Sequence, residues 1–450
     1  MSKHFRPWNP EQSFLFPPAP RDWLPENHLV YFLLDVVPQM DLRPILQPYQ
    51  AEERGQPPYH PTMLVTLLLY GYATGTFSSR RLMARCETDV AFRVIVGQDI
   101  PDFRTISDFR KRHLAALEGF FVDVLKLCAR AGLVKVGRLA LDGSKVKANA
   151  SRHKAMSYDY MLKEGQRLKQ EIKALLARAE EADGTEDRTY GRDRRGDELP
   201  EELARRQSRL RKIRQAKAAL EAEARQQARA GEAERQRQGK PPSGKGPEQA
   251  KPEPKAQYNF TDPESQVMRV PNKGWDQCVN AEVVVNEHQI IVAADVTDEA
   301  NDKRQVRPMV EQLKQNLAAV GVSERAKEMV ADSGFYSEAN VAYLEAEGID
   351  PYIATERLKH HERIAAPRGR CPQGLTAKQR MARKLRTKRG RQRYARRKAM
   401  VEPVFGQIKH GRGFRQHLLR GRKKMRAEWR LVSLTHNLLK LWRYEQSKEE

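Results

Sequence analysis

The stretch LALDGSKVKANAS, residues 139–151, sets Leu139, Ala140 and Leu141 directly against an acid, Asp142. A strand buried on both faces must be apolar, so a carboxylate where the apolar run stops is expected at a strand end, held rigidly at the sheet edge. Residues 328–334, EMVADSG, repeat the setting, with Met329, Val330 and Ala331 running into Asp332. Between the two acids, 278–285 and 290–296 are apolar stretches joined by Asn286, Glu287, His288 and Gln289, which reads as a β-hairpin. The spacing predicts a helix over 303–319, a helix capped by Ser337 and a short strand at 351–354.

A third acid, Glu402, lies in RKAMVEPVFGQIKH, residues 397–410, where Val401, Val404, Phe405 and Ile408 follow the i, i+3, i+4, i+7 spacing of a helix with one apolar face. Lys409 is nearly two turns on, about 10.5 Å along that helix. Pro403 removes a backbone bond, so a kink, or a helix start close to Glu402, is expected. Three carboxylates on two strand ends and one helix supply the hard oxygen ligands of a two-metal phosphoryl-transfer site, with Mg²⁺ ions about 4 Å apart.

Together, LALDGSKVKANAS, VADSGFYSEAN and YARRKAMVEPVFGQIKHGRGFRQ resemble the three acid-bearing regions of the DDE transposases of bacterial insertion sequences. The resemblance implies an α/β ribonuclease H-like catalytic domain, with Asp142, Asp332 and Glu402 as its catalytic, metal-binding acids. It further implies two Mg²⁺ ions, for which Mn²⁺ can substitute, and DNA contacts through a Y-(2)-R-(3)-E-(6)-K signature. Tyr394, Glu402 and Lys409 match that signature; either Arg397, by the first gap, or Lys398, by the second, fills the basic position. The implied activity is binding of the element's terminal inverted repeats, cleavage by water and transfer of the freed 3′-hydroxyl to target DNA, without a covalent protein intermediate. The implied partner is double-stranded DNA, on which the chain assembles as a homodimer.

Around these motifs the chain divides into an N-terminal extension, 1–60, with a short helix near 26–40, and an all-helical, DNA-binding domain, 61–133. The catalytic domain is 134–150 with 257–450. In the helical domain Pro61 suits a first helical position, Ser78 or Ser79 a second cap and Thr105 or Ser107 a third. Arg104, Arg110, Lys111 and Arg112 near that third start suit a helix-turn-helix contact. Residues 151–237 carry heptad seams, Met161, Gly165, Leu168, Ile172, Leu175 and then Leu203, Arg206, Leu210, Ile213, Lys217, Leu220, on either side of a polar loop at 183–200. They are expected to form an inserted helical hairpin, followed by a flexible Pro/Gly-rich linker at 238–256. The helix near 429–442 is expected to close the catalytic domain from behind.

The chain has 450 residues and a formal charge of +24, of which residues 351–450 hold 29 Lys/Arg against 7 Glu and no Asp. Such a concentration of positive charge favours a polyanionic partner. No apolar run approaches the roughly 18 residues of a membrane span, and no secretory signal is visible, so a cytoplasmic, nucleoid-associated protein is expected. No GxxxxGK[ST] loop occurs, so no nucleotide cofactor is expected. Zinc binding by Cys371 with His360 and His361 has too few ligands at proper spacing. Two rival readings remain: a metal-dependent nuclease without strand transfer, and a non-catalytic DNA-binding protein with structural acids.

Overall fold

A computed structural model describes residues 19–50, 58–97, 99–190, 201–237, 239, 241–242, 246–270, 274–356 and 366–449. His360, His361 and the second half of the expected polar loop lie outside them. The chain divides into two compact units, 1–147 with 279–450, and 148–278.

The first unit opens with helices α1 (Leu29–Val36), α2 (Arg43–Gln50), α3 (Pro61–Thr74), α4 (Ser79–Thr88), α5 (Val90–Val96), α6 (Phe103–Arg112) and α7 (Leu114–Arg130). Pro61 begins α3, and Ser78 stands at the cap of α4. The cap of α6 is neither Thr105 nor Ser107 but Asp102, whose carboxylate accepts from Arg104 N at 2.7 Å; both hydroxyl residues lie inside the helix. Arg110 is buried, donating to the Tyr72 hydroxyl at 3.2 Å and to Phe77 O at 2.9 Å, so it is not presented as a surface contact.

Strand β1 (Arg138–Lys147) follows, with β2 (Ala155–Ser157), helix α8 (Tyr158–Tyr190), helix α9 (Glu201–Arg237), β3 (Gln257–Asn259) and β4 (Gln266–Val270) belonging to the second unit. There, β2 and β3 pair antiparallel. Helices α8 and α9 run in opposite directions and bury Tyr158, Met161 and Leu168 against Leu210, Ile213, Ala216 and Leu220.

The remaining elements are β5 (Gly274–Asn286), β6 (Ile291–Thr297), α10 (Val306–Ala319), β7 (Glu328–Ala331), α11 (Glu338–Ala346), β8 (Asp350–Ile353), α12 (Ala377–Arg386), α13 (Lys388–Gly406) and α14 (Arg422–Glu449). The mixed sheet of the first unit runs β6–β5–β1–β7–β8, antiparallel between β5 and β6, parallel from β1 to β7 and from β7 to β8. Its β5–β6 turn is locked by Asn286, whose Oδ1 accepts from His288 N at 3.0 Å and Ile290 N at 2.9 Å.

Helix α14 joins the helices to the sheet. It packs on α3, α7 and β6 through a stripe that includes the fully buried Trp429, Val432, Leu434 and Leu438, each stabilising the fold by roughly 1.5–3 kcal/mol through lost water contact. Asn437 clamps it to β6, accepting from Ile291 N and donating to Ile291 O, both at 2.8 Å.

Two expectations about the acid-bearing elements need correction. Asp142 is not at the end of its strand: β1 continues to Lys147, and only its pairing with β7 stops at Leu141. Nor does a helix start near Glu402: α13 begins at Lys388 and runs through Pro403. The carbonyl that Pro403 would have bonded, Ala399 O, accepts instead from Gln289 Nε2 at 2.8 Å. A π turn, Gln407–Gly411, then closes the helix.

Candidate active site

Parallel pairing sets Leu141 opposite Ala331, so the next residues on the two strands, Asp142 and Asp332, fall side by side where the ladder ends, about 4.8 Å apart in the hydrogen-bonding direction. Each is steadied by a nearby backbone N–H: Asp142 Oδ1 accepts from Gly143 N at 3.0 Å within β1, and Asp332 Oδ1 from Gly334 N at 2.8 Å.

Glu402 reaches this pair from α13 through Arg397. The Arg397 guanidinium donates to Asp142 Oδ2 at 2.8 Å and lies 3.9 Å from Glu402 Oε1. Tyr394, one turn earlier, is half-buried beside Arg397; burial pushes its phenol above the usual range. Lys398 is exposed. Lys409, on the π turn, donates to Ser144 Oγ and, at 2.9 Å, to Lys145 O, just beyond Asp142 on β1. The predicted acids, Tyr394, Arg397 and Lys409 thus gather at one place, and Lys398 stands outside it.

A second layer of acids escaped the sequence reading. Glu282 on β5 and Asp302 after β6 are bridged by the Asn280 amide, which donates to Glu282 Oε1 and Asp302 Oδ1. Lys145 Nζ pairs with Asp302 at 3.1 Å. A Cβ at Gly143 would lie 2.6 Å from both Glu282 carboxylate oxygens, and one at Gly334 would lie 2.6 Å from Asp302 Oδ2, so a side chain at either position would have to push these carboxylates aside. The signal existed in residues 278–286, CVNAEVVVN, where a strand apolar on both faces carries a carboxylate at its centre.

The electrostatics follow from this crowding. Burial, with Asp332 and Asp302 adding to it and Arg397 opposing it, raises the Asp142 carboxyl to about 6. Glu282, 1% exposed and with Oε2 unpaired, is held well above the ordinary range by burial first and by Asp302 next. Four acids, Glu282 buried and Asp142, Asp302 and Asp332 partly buried, therefore crowd together with two cationic side chains, Lys145 and Arg397.

Among the described residues no three His, Cys, Asp or Glu side chains stand in an arrangement that holds a metal ion. The donor chemistry nonetheless suits a hard divalent cation, since carboxylates outnumber the cationic side chains there and Asp142 and Glu402 already hold a guanidinium between them.

Residues 19–112 match the family model described as a transposase domain (DUF772), and residues 255–438 match the one described as the transposase DDE domain. Asp332 and Glu402 lie within the second match, whereas Asp142 lies outside both. No curated protein and no solved structure matches the chain.

Proposed function

From the premise that the chain belongs to the DDE transposases of insertion sequences, we propose that it binds the terminal inverted repeats of its element, cuts at their ends and joins the freed 3′-hydroxyl to target DNA. The observation that carries this reading is the register that sets Asp142 beside Asp332, with Arg397 linking Glu402 to Asp142. The sheet order β6–β5–β1–β7–β8 supports a ribonuclease H-like catalytic domain, 134–150 with 257–450, interrupted by an inserted helical hairpin, 151–237, and a linker, 238–256. In the same reading, residues 61–133 serve DNA binding, and two copies assemble on the DNA.

DNA transposases of this kind generally use divalent metal ions. Here Asp142, Asp332 and Glu402 would hold a pair of Mg²⁺ ions, which would supply Lewis-acid activation of an attacking oxygen and charge neutralisation at the leaving one. The protein groups do the positioning. Arg397 exchanges its carboxylate partners for a phosphate near the cut, which a planar guanidinium grips with two hydrogen bonds. Lys409, braced on β1 by Ser144 and the Lys145 carbonyl, holds its ammonium beside Asp142 as a fixed positive charge for the scissile phosphate. Tyr394, half-buried against Arg397, offers a ring on which an unpaired base at the DNA end can stack. Lys398, exposed on the same helix, adds a backbone contact without touching the acids.

The test is a cleavage and joining assay with Mg²⁺ on DNA that carries the element ends, run with wild type, Asp142→Asn, Asp332→Asn and Glu402→Gln. Expected are cut and joined products from wild type alone and unchanged DNA affinity in all three variants. Full activity in any variant removes that residue from the site. Cut but unjoined DNA leaves a nuclease, and no cutting by wild type leaves a DNA-binding protein.

A further inference from the structure

Outside the acid cluster, a marked charge imbalance lies on α9. Residues 203–220 carry seven basic side chains and no acid. The apolar stripe of this segment, Leu203, Leu210, Ile213, Ala216 and Leu220, is buried. Beside the stripe, three of the bases meet carboxylates: Arg206 with Glu171 at 3.5 Å, Arg209 with Glu164 at 3.1 Å and Lys217 with Glu221 at 3.5 Å.

Arg211, Lys212 and Arg214 are different. All three are exposed, and none makes an ion pair among the described residues. The facing part of α8 has no carboxylate left to offer, because Asp159, Glu164 and Glu171 are each paired with a base. At 100° per residue Arg211 projects roughly opposite the buried stripe, with Arg214 to one side and Lys212 to the other, all within one turn of about 5.4 Å. Like charges at this spacing repel and disfavour the helix, so an isolated solvent face gains nothing from them.

The residues between them identify the partner. Gln207, Ser208 and Gln215 are exposed on the same face, and no large apolar side chain is. A membrane-surface helix needs a bulky apolar face, and a protein interface is anchored by aromatic or Arg side chains packed into a desolvated pocket, whereas the arginines here stand exposed among polar neighbours. A phosphate backbone needs only positive charge and hydrogen-bond donors.

We propose that the outer face of α9, through Arg211, Lys212 and Arg214, is a contact for the backbone of double-stranded DNA, independent of its sequence and separate from the acid cluster. The proposal rests on reading the chain as an enzyme that acts on DNA.

The experiment measures binding of the full-length protein to a blunt, mixed-sequence duplex by fluorescence anisotropy, over about 50 to 200 mM salt. With Arg211→Gln, Lys212→Gln and Arg214→Gln combined, the slope of log affinity against log salt is expected to fall by roughly 0.9 per lost phosphate contact, about 2.7 in all. The melting temperature is expected not to fall, since the three side chains face solvent and their mutual repulsion is relieved. Arg211→Lys with Arg214→Lys, which keeps the charge, is expected to retain the wild-type slope. Equal slopes in wild type and the triple Gln variant overturn the proposal, as does a changed oligomeric state with unchanged DNA affinity. If wild type cuts and joins DNA while the slopes are equal, this inference alone falls; if wild type binds no DNA, the functional reading falls with it.

Discussion

Arg397 and Lys398 are neighbours in sequence with the same charge, yet the helix gives them different surroundings. Arg397 faces the acids and bonds Asp142, while Lys398 points to solvent. The fixed two-pronged geometry of a guanidinium lets Arg397 touch Asp142 and approach Glu402 together, which the point charge of a lysine cannot do. Arg397→Lys is therefore expected to lower strand cleavage by roughly 100-fold, the scale set by losing one fixed donor from a site of developing charge. Lys398→Ala is expected to leave cleavage at saturating DNA unchanged and to lower the salt slope of binding by about 0.9. Single-turnover cleavage beside a salt titration separates the two; a larger cleavage loss from Lys398→Ala would assign the signature position to that residue instead. Neither gap count in the sequence could choose between them, because the choice depends on which way each side chain leaves the helix.

At the scale of elements, β1, β5, β6, β7 and β8 were legible because short apolar runs suit buried strands, although β1 runs on past Asp142, and the β5–β6 turn because Asn286 suits it; the short β2, β3 and β4 carried no such run. Less legible was the path of α13. Pro403 argues for a break, but the helix survives because Gln289, from a distant turn with φ of 61°, supplies the donor that the proline lacks. Such a repair joins residues 110 apart in sequence, and no local pattern announces it. Glu282 was hidden for a related reason: a carboxylate in a strand reads as an edge or a surface position until the layers that cover it are known. The junction of α12 and α13 shows what a tight approach demands. A Cβ at Gly390 would lie 2.0 Å from Lys384 O and 2.9 Å from Leu385 Cα, so the two helices meet backbone to backbone there. Gly390→Ala gains about 1 kcal/mol of helix propensity but forces the helices apart, costing about 1–3 kcal/mol as overpacking does. A lower urea midpoint is expected, with cleavage reduced because Tyr394, Arg397 and Glu402 all ride on α13. An unchanged midpoint would mean that the junction yields freely and does not set the position of the helix.

At the scale of the molecule, one residue of α14 records how the first unit is held together. His436 is buried and bonds through Nε2 to Gln289 O and through Nδ1 to the Gln407 side chain, both at 2.9 Å, so it touches the β5–β6 turn and the π turn after α13 at once. Burial, with Arg412 and other nearby cations adding to it, depresses the imidazole to about 3. The ring is therefore neutral: Nε2 donates to the Gln289 carbonyl, Nδ1 accepts, and the Gln407 amide must turn its NH₂ end toward the ring. In the unfolded chain the same imidazole takes up a proton near its ordinary value of 6.5. Between about pH 3 and 6.5 the unfolded state binds one more proton than the folded state, so stability contributed by the neutral ring is present above 6.5 and is lost as pH falls. The loss from this residue approaches about 1.4 kcal/mol per pH unit once the pH is well below 6.5. His436→Gln cannot take up that proton in either state, so its denaturation midpoint, followed from pH 7 down to 4, is expected to fall less steeply than wild type by the equivalent of one proton. Parallel curves would show that His436 charges without disturbing the fold, and that the bridge between the two turns carries little of the stability of the unit.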